Sequence, residues 1–549
     1  MDVAEGKGTG ENPESGASVE AERWPWWREA VLYQIYPRSF QDSNDDGIGD
    51  LGGILGRIDY LEWLGIDAVW LSPIFRSPHA DFGYDISDYC DVDGIFGSRE
   101  DLDRLRDALH DRGLRLILDL VPNHTSEEHR WFRAARSSRA DPMRDWYIWA
   151  DPGPDGGPPN NWLSVFGGSA WEWDEATGQY YYHAFLKEQP DLNWRNPEVR
   201  EAMLDVMRHW LDWGADGFRV DVMWHLIKDD QLRDNPPNPG YDPATARHSY
   251  DRLIPAYTTD QPEVHEAVAE MRRVMDRYGD RLLIGEIYLP VERLVRYYGV
   301  ERDGAHLPFN FQLVQLPWDR ETIEAAIDTY EGALPDEAWP NWVLSNHDRP
   351  RVAARWGEDA ARAAAVLLLT LRGTPTLYYG DELGIGDVPI SPERVRDPQA
   401  IRDPGSPARD AYRTPMQWTA AESAGFSRVA PWLPVTADHA ARNVESQRRD
   451  PGSMLTLYRE LLRLRRERPA LRRGRYEPVP GQGPVLGFIR DDGKERVLVA
   501  INFAAEPARF RPRPEPKGEV LLSTRGAREP VRGEVVLGPN EAVVVALDS

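Results

Sequence analysis

Eight short runs rich in β-branched and aromatic residues, each closing on polar side chains, recur through most of this 549-residue sequence. They read AVLYQIYPRSF, DAVWLSPIF, RLILDLVPNH, GFRVDV, LLIGEIY, LPFNFQL, NWVLSNHD and TPTLYYGDE. Stretches of helical period separate them. REDLDRLRDALHDRG closes on Gly113, and NPEVREAMLDVMRHWLDWG offers Asn196 as a cap with Pro197 at the first helical position. Strand and helix alternating in this way predict an α/β chain whose parallel sheet closes on itself, a (β/α)8 TIM barrel.

Two stretches depart from the alternation. Between His124 and Asn196 the pattern gives way to Trp, Pro, Gly and Asn over a length no ordinary loop reaches. This predicts an inserted subdomain, residues 125–195, after strand three. From about Arg475 onward, alternating short runs (VLGFIR, RVLVAINF, GEVLLS, AVVVAL) with turn signals between them predict a C-terminal all-β sandwich over 475–549. The barrel then occupies 23–124 and 196–474. Residues 1–22 are acidic and Gly-rich without an apolar stretch, and read as a disordered tail rather than a signal peptide.

In such a barrel the chemistry sits where the strands end. Here those ends are acidic. Strand three ends Asp119 to His124, strand four Arg219-Val-Asp221, strand five Gly285-Glu286 and strand seven Asn346-His347-Asp348. A single carboxylate at a strand end is commonly a cap. Three facing one mouth, beside an arginine and two histidines, supply what glycoside hydrolysis needs: an acid/base and a nucleophile around an oxocarbenium-like transition state. A net charge of -26 disfavours nucleic acid and anionic membrane surfaces, leaving a neutral small molecule as the easier partner. No apolar run approaches the roughly 20 residues of a membrane helix, and the lone Cys90 excludes a disulfide framework, so the expected location is the cytoplasm. Many of the 21 tryptophans lie in irregular segments such as PPNNWLSVFGGSAWEW, where they either stack on sugar rings or anchor the loop.

DLVPNH, GFRVD, GEIY and SNHD, in that order and spacing, together with QPDLN at Gln189 to Asn193, resemble the five short regions of the α-amylase family of glycoside hydrolases, glycoside hydrolase family 13. The resemblance runs over almost the whole chain from about Trp24. It implies Asp221 as nucleophile, Glu286 as general acid/base and Asp348 as transition-state stabiliser, with His124 and His347 as ligands of sugar hydroxyls. Arg219, two residues before Asp221 on the same face of a strand, is expected to hold the nucleophile's pKa down. Asp221 and Asp348 are expected to keep Glu286 protonated.

DFGYD at Asp81 to Asp85 and RTPMQW at Arg413 to Trp418 further resemble the α-glucosidase and oligo-1,6-glucosidase branch. That resemblance implies a first subsite closed by Asp81 and Arg413, Tyr84 stacked on the ring, and Phe166, Phe185 and Gln189 as walls. A pocket closed at that end admits one glucose, so cleavage would be exo-acting on terminal α-linked glucose of short α-glucosides. In this branch Val at position 222 tends to accompany α-1,6 preference.

The acidic run QDSNDDGIGDL, after strand one, resembles the branch's calcium loop, with oxygens from Asp42, Asn44, Asp46, Asp50 and the Ile48 carbonyl. It is not an EF-hand, because the twelfth position from Asp42 is Gly53. An oxygen-only set favours Ca2+, or Mg2+, in a structural role, and an acidic turn is the alternative. Catalysis needs no metal. Two other functions stay open: a same-family isomerase or transglycosylase making isomaltulose or trehalose, and a noncatalytic relative resembling transporter heavy chains. RPRVAARW replaces the RLDR-like loop of sucrose isomerases, and all three acids are retained, which counts against each in turn.

Overall fold

The computed structural model describes residues 24–246 and 248–548, so the expected tail over 1–22 lies outside the described residues. Eight strands form one parallel sheet: β1 Leu32–Ile35, β2 Ala68–Leu71, β3 Arg115–Leu120, β4 Gly217–Val220, β5 Leu282–Ile287, β6 Leu307–Asn310, β7 Asn341–Val343 and β8 Thr374–Tyr378. Hydrogen-bonded neighbours run β6-β5-β4-β3-β2-β1-β8-β7, and β6 meets β7 to bring the sheet round to a nearly closed barrel.

Alternation within each strand explains why the runs are apolar throughout. Leu32, Ala68, Trp70, Ile117, Leu282, Ile284, Leu307 and Phe309 pack together as an inner core. Their sequence neighbours Tyr33, Val69, Leu71, Leu116, Leu118, Phe218 and Leu283 join the core that meets the helices. Both faces of the sheet are buried, as parallel sheets require. Gly217 opens β4 because a Cβ there would lie 2.2 Å from the Leu282 carbonyl oxygen. The helices start and stop on local signals. In α1, Arg99–His110, Ser98 and Asp101 form a capping box. In α2, Pro197–Trp213, the Asn196 side chain accepts from the Glu198 N–H, and left-handed Gly214 ends the helix.

The segment between His124 and Asn196 carries its own three-stranded antiparallel sheet, Trp149–Ala150, Gln179–Tyr182 and Trp171–Asp174. Two of its tryptophans anchor rather than wait for ligand: Trp162 and Trp171 are buried and stack on each other, centroids 5.8 Å apart. After the last barrel helix, α3 at Met454–Glu467, a six-stranded antiparallel sheet begins at Arg475. Leu498, Ala500, Val543 and Val545 face the small pair Ala508–Phe510 and Val535–Leu537, the second layer of the sandwich. Val497, Val499, Ile501, Ala542 and Val544 face the other way and join the barrel core. The C-terminal sheet is thereby fastened to the body that holds the site.

Candidate active site

At the C-terminal ends of β3, β4 and β5, one guanidinium organises three carboxyls. Arg219, 1 % exposed, lies beside Asp119 in the β3–β4 register. Its Nη1 donates to Asp119 Oδ1 at 3.1 Å and to Asp221 Oδ1 at 2.7 Å, and its Nη2 is 2.8 Å from Glu286 Oε2. Asp221 and Glu286 are also within hydrogen-bonding reach of each other. Burial raises Asp119 to about 7, with Glu286 adding to the rise and Arg219 opposing it. Asp221 is likewise raised well above its ordinary value, by burial first and then by Glu286. The expectation that Arg219 holds Asp221 down is therefore corrected: one cation shared among three buried carboxyls does not offset their desolvation. With both Asp119 and Asp221 raised beside the one guanidinium, the cluster favours holding a proton.

Val222 links nucleophile to acid. Its backbone is left-handed, φ 37° and ψ 46°, unusual for a β-branched residue. In that conformation its N–H donates to Glu286 Oε2 at 2.9 Å, while its carbonyl accepts from the His225 N–H.

Asp348 has the opposite electrostatics. Burial raises its pKa, but His347, Arg413 and Arg409 outweigh that and hold the carboxyl far below the usual range. Burial pushes His347 down to about 3, so the ring is neutral at neutral pH and the two arginines carry the charge. Arg409 Nη1 and Arg413 Nη2 reach Asp348 Oδ1 at 3.1 and 2.7 Å.

These groups meet in a cavity of about 420 Å³ whose wall includes Asp221, Glu286 and Asp348. Asp81, Tyr84, His124, Phe166, Phe185, Gln189 and Val222 line it too. Phe166 and Phe185 pack edge to face, His124 lies against Phe185, and the Gln189 amide lies 3.1 Å from His124 Nε2. Burial lowers His124 to about 4, leaving a neutral ring at the wall.

Arg219 and two expected ligands, His347 and Arg413, are not among the residues that line the cavity. Arg219 is spent on its carboxyls. His347, 1 % exposed, has Gln34 Nε2 at 2.7 Å from Nδ1 and the Tyr84 hydroxyl at 2.7 Å from Nε2, so it orients Tyr84 rather than facing the cavity. Arg413 is directed inward, its Nε donating to the His347 carbonyl at 2.8 Å. The arginine that meets Asp81 is Arg409, which sequence reasoning missed. Its Nη2 donates to Asp81 Oδ1 at 2.9 Å, its guanidinium lies 4.9 Å from the centre of the Phe166 ring, and Asp397 pairs with it from behind. The two arginines are separated by the tight helical turn Arg409–Tyr412, and only the first reaches the cavity. The signal was a second arginine one turn before RTPMQW. Also missed were Trp224, His225, Tyr288 and Arg349, which line the same cavity.

The loop after β1 is built from its own turns. Asp42 accepts from the N–H groups of Asn44, Asp45 and Gly47, Asn44 from Asp46, and Asp46 from Ile48. Asp50 accepts from Ser43 and caps the following short helix through Gly53 N–H. The donors are all oxygen, which suits a hard cation. Among the described residues, however, no three His, Cys, Asp or Glu side chains are gathered on one point.

Residues 34–474 match the family described as alpha amylase, catalytic domain. The chain belongs to that family. A probable α-glucosidase of Rhizobium meliloti is 44 % identical over 515 residues, 90 % of this chain and 92 % of that protein. An oligo-1,6-glucosidase of Heyndrickxia coagulans is 38 % identical over 569 residues, 95 % of this chain and 99 % of that one. Among solved structures, an α-glucosyl transfer enzyme superposes with a TM-score of 0.89 at 42 % identity, covering 96 % of this chain and 100 % of its own. A trehalulose synthase from Pseudomonas mesoacidophila superposes with a TM-score of 0.88 at 34 % identity, with the same coverage. This member of the α-amylase family thus falls in the branch of α-glucosidases and oligo-1,6-glucosidases.

Proposed function

We propose that this enzyme is a retaining, exo-acting α-glucosidase that removes terminal nonreducing glucose from short α-1,4- and α-1,6-linked glucosides. The observation that carries the retaining assignment is the single Arg219 guanidinium binding both Asp221 and Glu286. It keeps the two carboxyls close, as a covalent intermediate needs, instead of about 6.5–9.5 Å apart with a water between them. The exo assignment rests on Asp81 and Arg409, whose ion pair stands in the cavity wall with Asp397 bonded to Arg409 and Phe166 against it.

The site's residues divide the reaction into two displacements. Binding of sugar carries the shared proton to Glu286 and leaves Asp221 ionised. An Asp221 oxygen attacks the anomeric carbon while the C1–O bond breaks and Glu286 gives its proton to the leaving oxygen. A water then loses its proton to Glu286, attacks C1 and frees Asp221. Asp348, kept as a carboxylate by its arginines, faces the positive charge that develops on the ring in both steps.

Asp221→Asn and Glu286→Gln each remove an ionisable group at nearly constant volume, so each variant folds and loses turnover. Initial release of β-glucose from an α-glucoside, read by NMR, would refute retention. Near-normal rates in either variant would refute that residue's role. Glucosyl transfer to a sugar acceptor is a second outcome of the same intermediate, favoured by the likeness to the α-glucosyl transfer enzyme and the trehalulose synthase. Product analysis from maltose, isomaltose and sucrose separates transfer from hydrolysis.

Ca2+ in the Asp42–Asp50 loop is proposed as a structural ion, supported by the all-oxygen donor set. No described helix is long and apolar enough to cross a membrane. A cytoplasmic location and the absence of a nucleic-acid partner are proposed on the lone Cys90 and the charge of -26. Cell fractionation tests the first and a mobility shift the second.

A further inference from the structure

Most of the buried charges around the cavity are paired. Asp119, Asp221 and Glu286 share Arg219, Asp81 and Asp348 hold Arg409, and Asp260 holds Arg293. Arg349 is different. It lines the cavity, yet among the described residues no carboxylate oxygen lies within 4.0 Å of its nitrogens. The neighbouring Asp348 does not satisfy it, because Arg409 and Arg413 already occupy Oδ1. Arg349 instead lies with its guanidinium 4.9 Å from the Tyr288 ring centre, and Tyr288 is fixed by stacking on Phe311 at 4.1 Å. Arg349 Nε and His225 Nδ1 are buried without a close hydrogen-bond partner, the Tyr288 hydroxyl reaches only Arg349, and all three residues line this cavity. Buried polar groups are nearly always satisfied, so a cluster of them on a cavity wall marks where a ligand's polar atoms go.

On the exo reading Asp81 and Arg409 hold the glucose, and this cluster, which bonds to neither of them, is left for the leaving group. We propose that Arg349 and Tyr288 form a subsite selecting leaving groups that bear a single carboxylate. A planar, permanently charged fork with its face on an aromatic ring suits bidentate binding of a carboxylate. A dianionic phosphate fits less well, because Asp348 is adjacent and the exposed carboxyl of Asp251 also lines this side. The chain's overall -26 also opposes any anion at long range, so the preference is local and appears in binding once the substrate has entered.

The proposal rests on the glucosidase reading, and the test separates the two. The α-glucosides of 4-hydroxybenzoate and 4-hydroxybenzamide are matched in shape and differ in charge. The enzyme should cleave the carboxylate with about tenfold higher kcat/KM, the scale of one charge-assisted hydrogen-bond pair. That ratio should fall to within twofold in Arg349→Gln and be partly restored in Arg349→Lys. Added salt should raise KM for the carboxylate and leave the carboxamide unmoved. A ratio near one in the parent, or one that Arg349→Gln leaves unchanged, overturns the proposal. Failure to cleave either glucoside would instead overturn the glucosidase reading. The subsite is then judged by calorimetric binding of the two intact glucosides to the parent and to Arg349→Gln, with equal affinities rejecting it.

Discussion

Removing the cation at the centre of the carboxyl cluster gives the sharpest test of how this site is charged. In Arg219→Met a side chain of similar length and no charge replaces a guanidinium that contacts Asp119, Asp221 and Glu286. Breaking a buried pair by removing one partner costs about 3–5 kcal/mol, because the remaining charges are stranded. Carboxyls can escape part of that cost by taking up protons. Asp119 is already raised to about 7 and Asp221 well above its ordinary value with Arg219 present, so its loss raises both further. A carboxyl raised in the folded state binds more protons there than in the unfolded chain, so its contribution to stability is complete below the unfolded pKa and is lost as pH rises through the folded one. One extra proton held by the folded variant gives a slope of about 1.36 kcal/mol per pH unit. Asp119 is already protonated below about pH 7 in the parent, so the extra proton counts above that value, and between pH 8 and pH 7 the variant should recover about 1 kcal/mol relative to the parent. Urea unfolding followed by tryptophan fluorescence at several pH values measures this. A stability difference that stays constant over the range would show that the three carboxyls are not competing for one cation, and the account of the shared proton would fall with it.

The closed end predicts a pH profile. Burial raises Asp81 to about 6 against the pull of Arg409 and Arg413, so kcat/KM should fall below pH 6, and Arg409→Gln should move that acid limb upward; a parent limb at pH 4 to 4.5 refutes it. Chelation should lower the melting temperature more than the initial rate, since an ion at a hundredfold its Kd adds roughly 2.7 kcal/mol, and Asp46→Ala should reproduce the effect. An unchanged melting temperature with the metal confirmed absent makes the loop a turn. Val222→Thr should shift kcat/KM toward maltose over isomaltose by more than twofold, a change within the 1–3 kcal/mol that methyl-scale differences in a pocket are worth, roughly. A ratio within twofold of the parent's would pass the role to the loop from Asn235 to Asp260, whose Tyr250, Asp251 and Thr259 also line the cavity.

The parts of the fold that were legible are those written in local chemistry. Strand runs, Asn196 before Pro197 and Gly214 after the helix each name their own conformation, and the barrel follows from repeating them. The carboxyls were legible because strand ends in a barrel converge by construction. Arg409 and Arg413 were not separable in the same way. Both lie in one short turn, and which of them meets Asp81 depends on Asp397 packing behind Arg409 and on the His347 carbonyl drawing Arg413 inward. The partners of His347 were not legible for a related reason: its neighbour Gln34 comes from the opposite end of the barrel sequence, and no spacing within SNHD reports it. Asp221's raised pKa also escaped, because the sequence shows that Arg219 is near but not that Asp119 and Glu286 compete for it.

The same competition gives Val222 a meaning beyond its side chain. Asp221 and Glu286 must part with their shared proton in a fixed direction, and a flexible acid could surrender it to either neighbour or to water. The Val222 N–H fixes one Glu286 oxygen from the chain that also carries Asp221. Holding a β-branched residue left-handed costs on the order of 1–3 kcal/mol, which persists only where the surroundings over-determine it. Here they do: the His225 N–H holds the Val222 carbonyl, and the Leu120 carbonyl of β3 holds the Asp221 N–H. The strained peptide therefore ties β3, β4 and β5 together at the point where the proton must move. Its backbone serves the chemistry whatever the linkage, and only the part of its buried side chain that lines the cavity is left to discriminate between substrates.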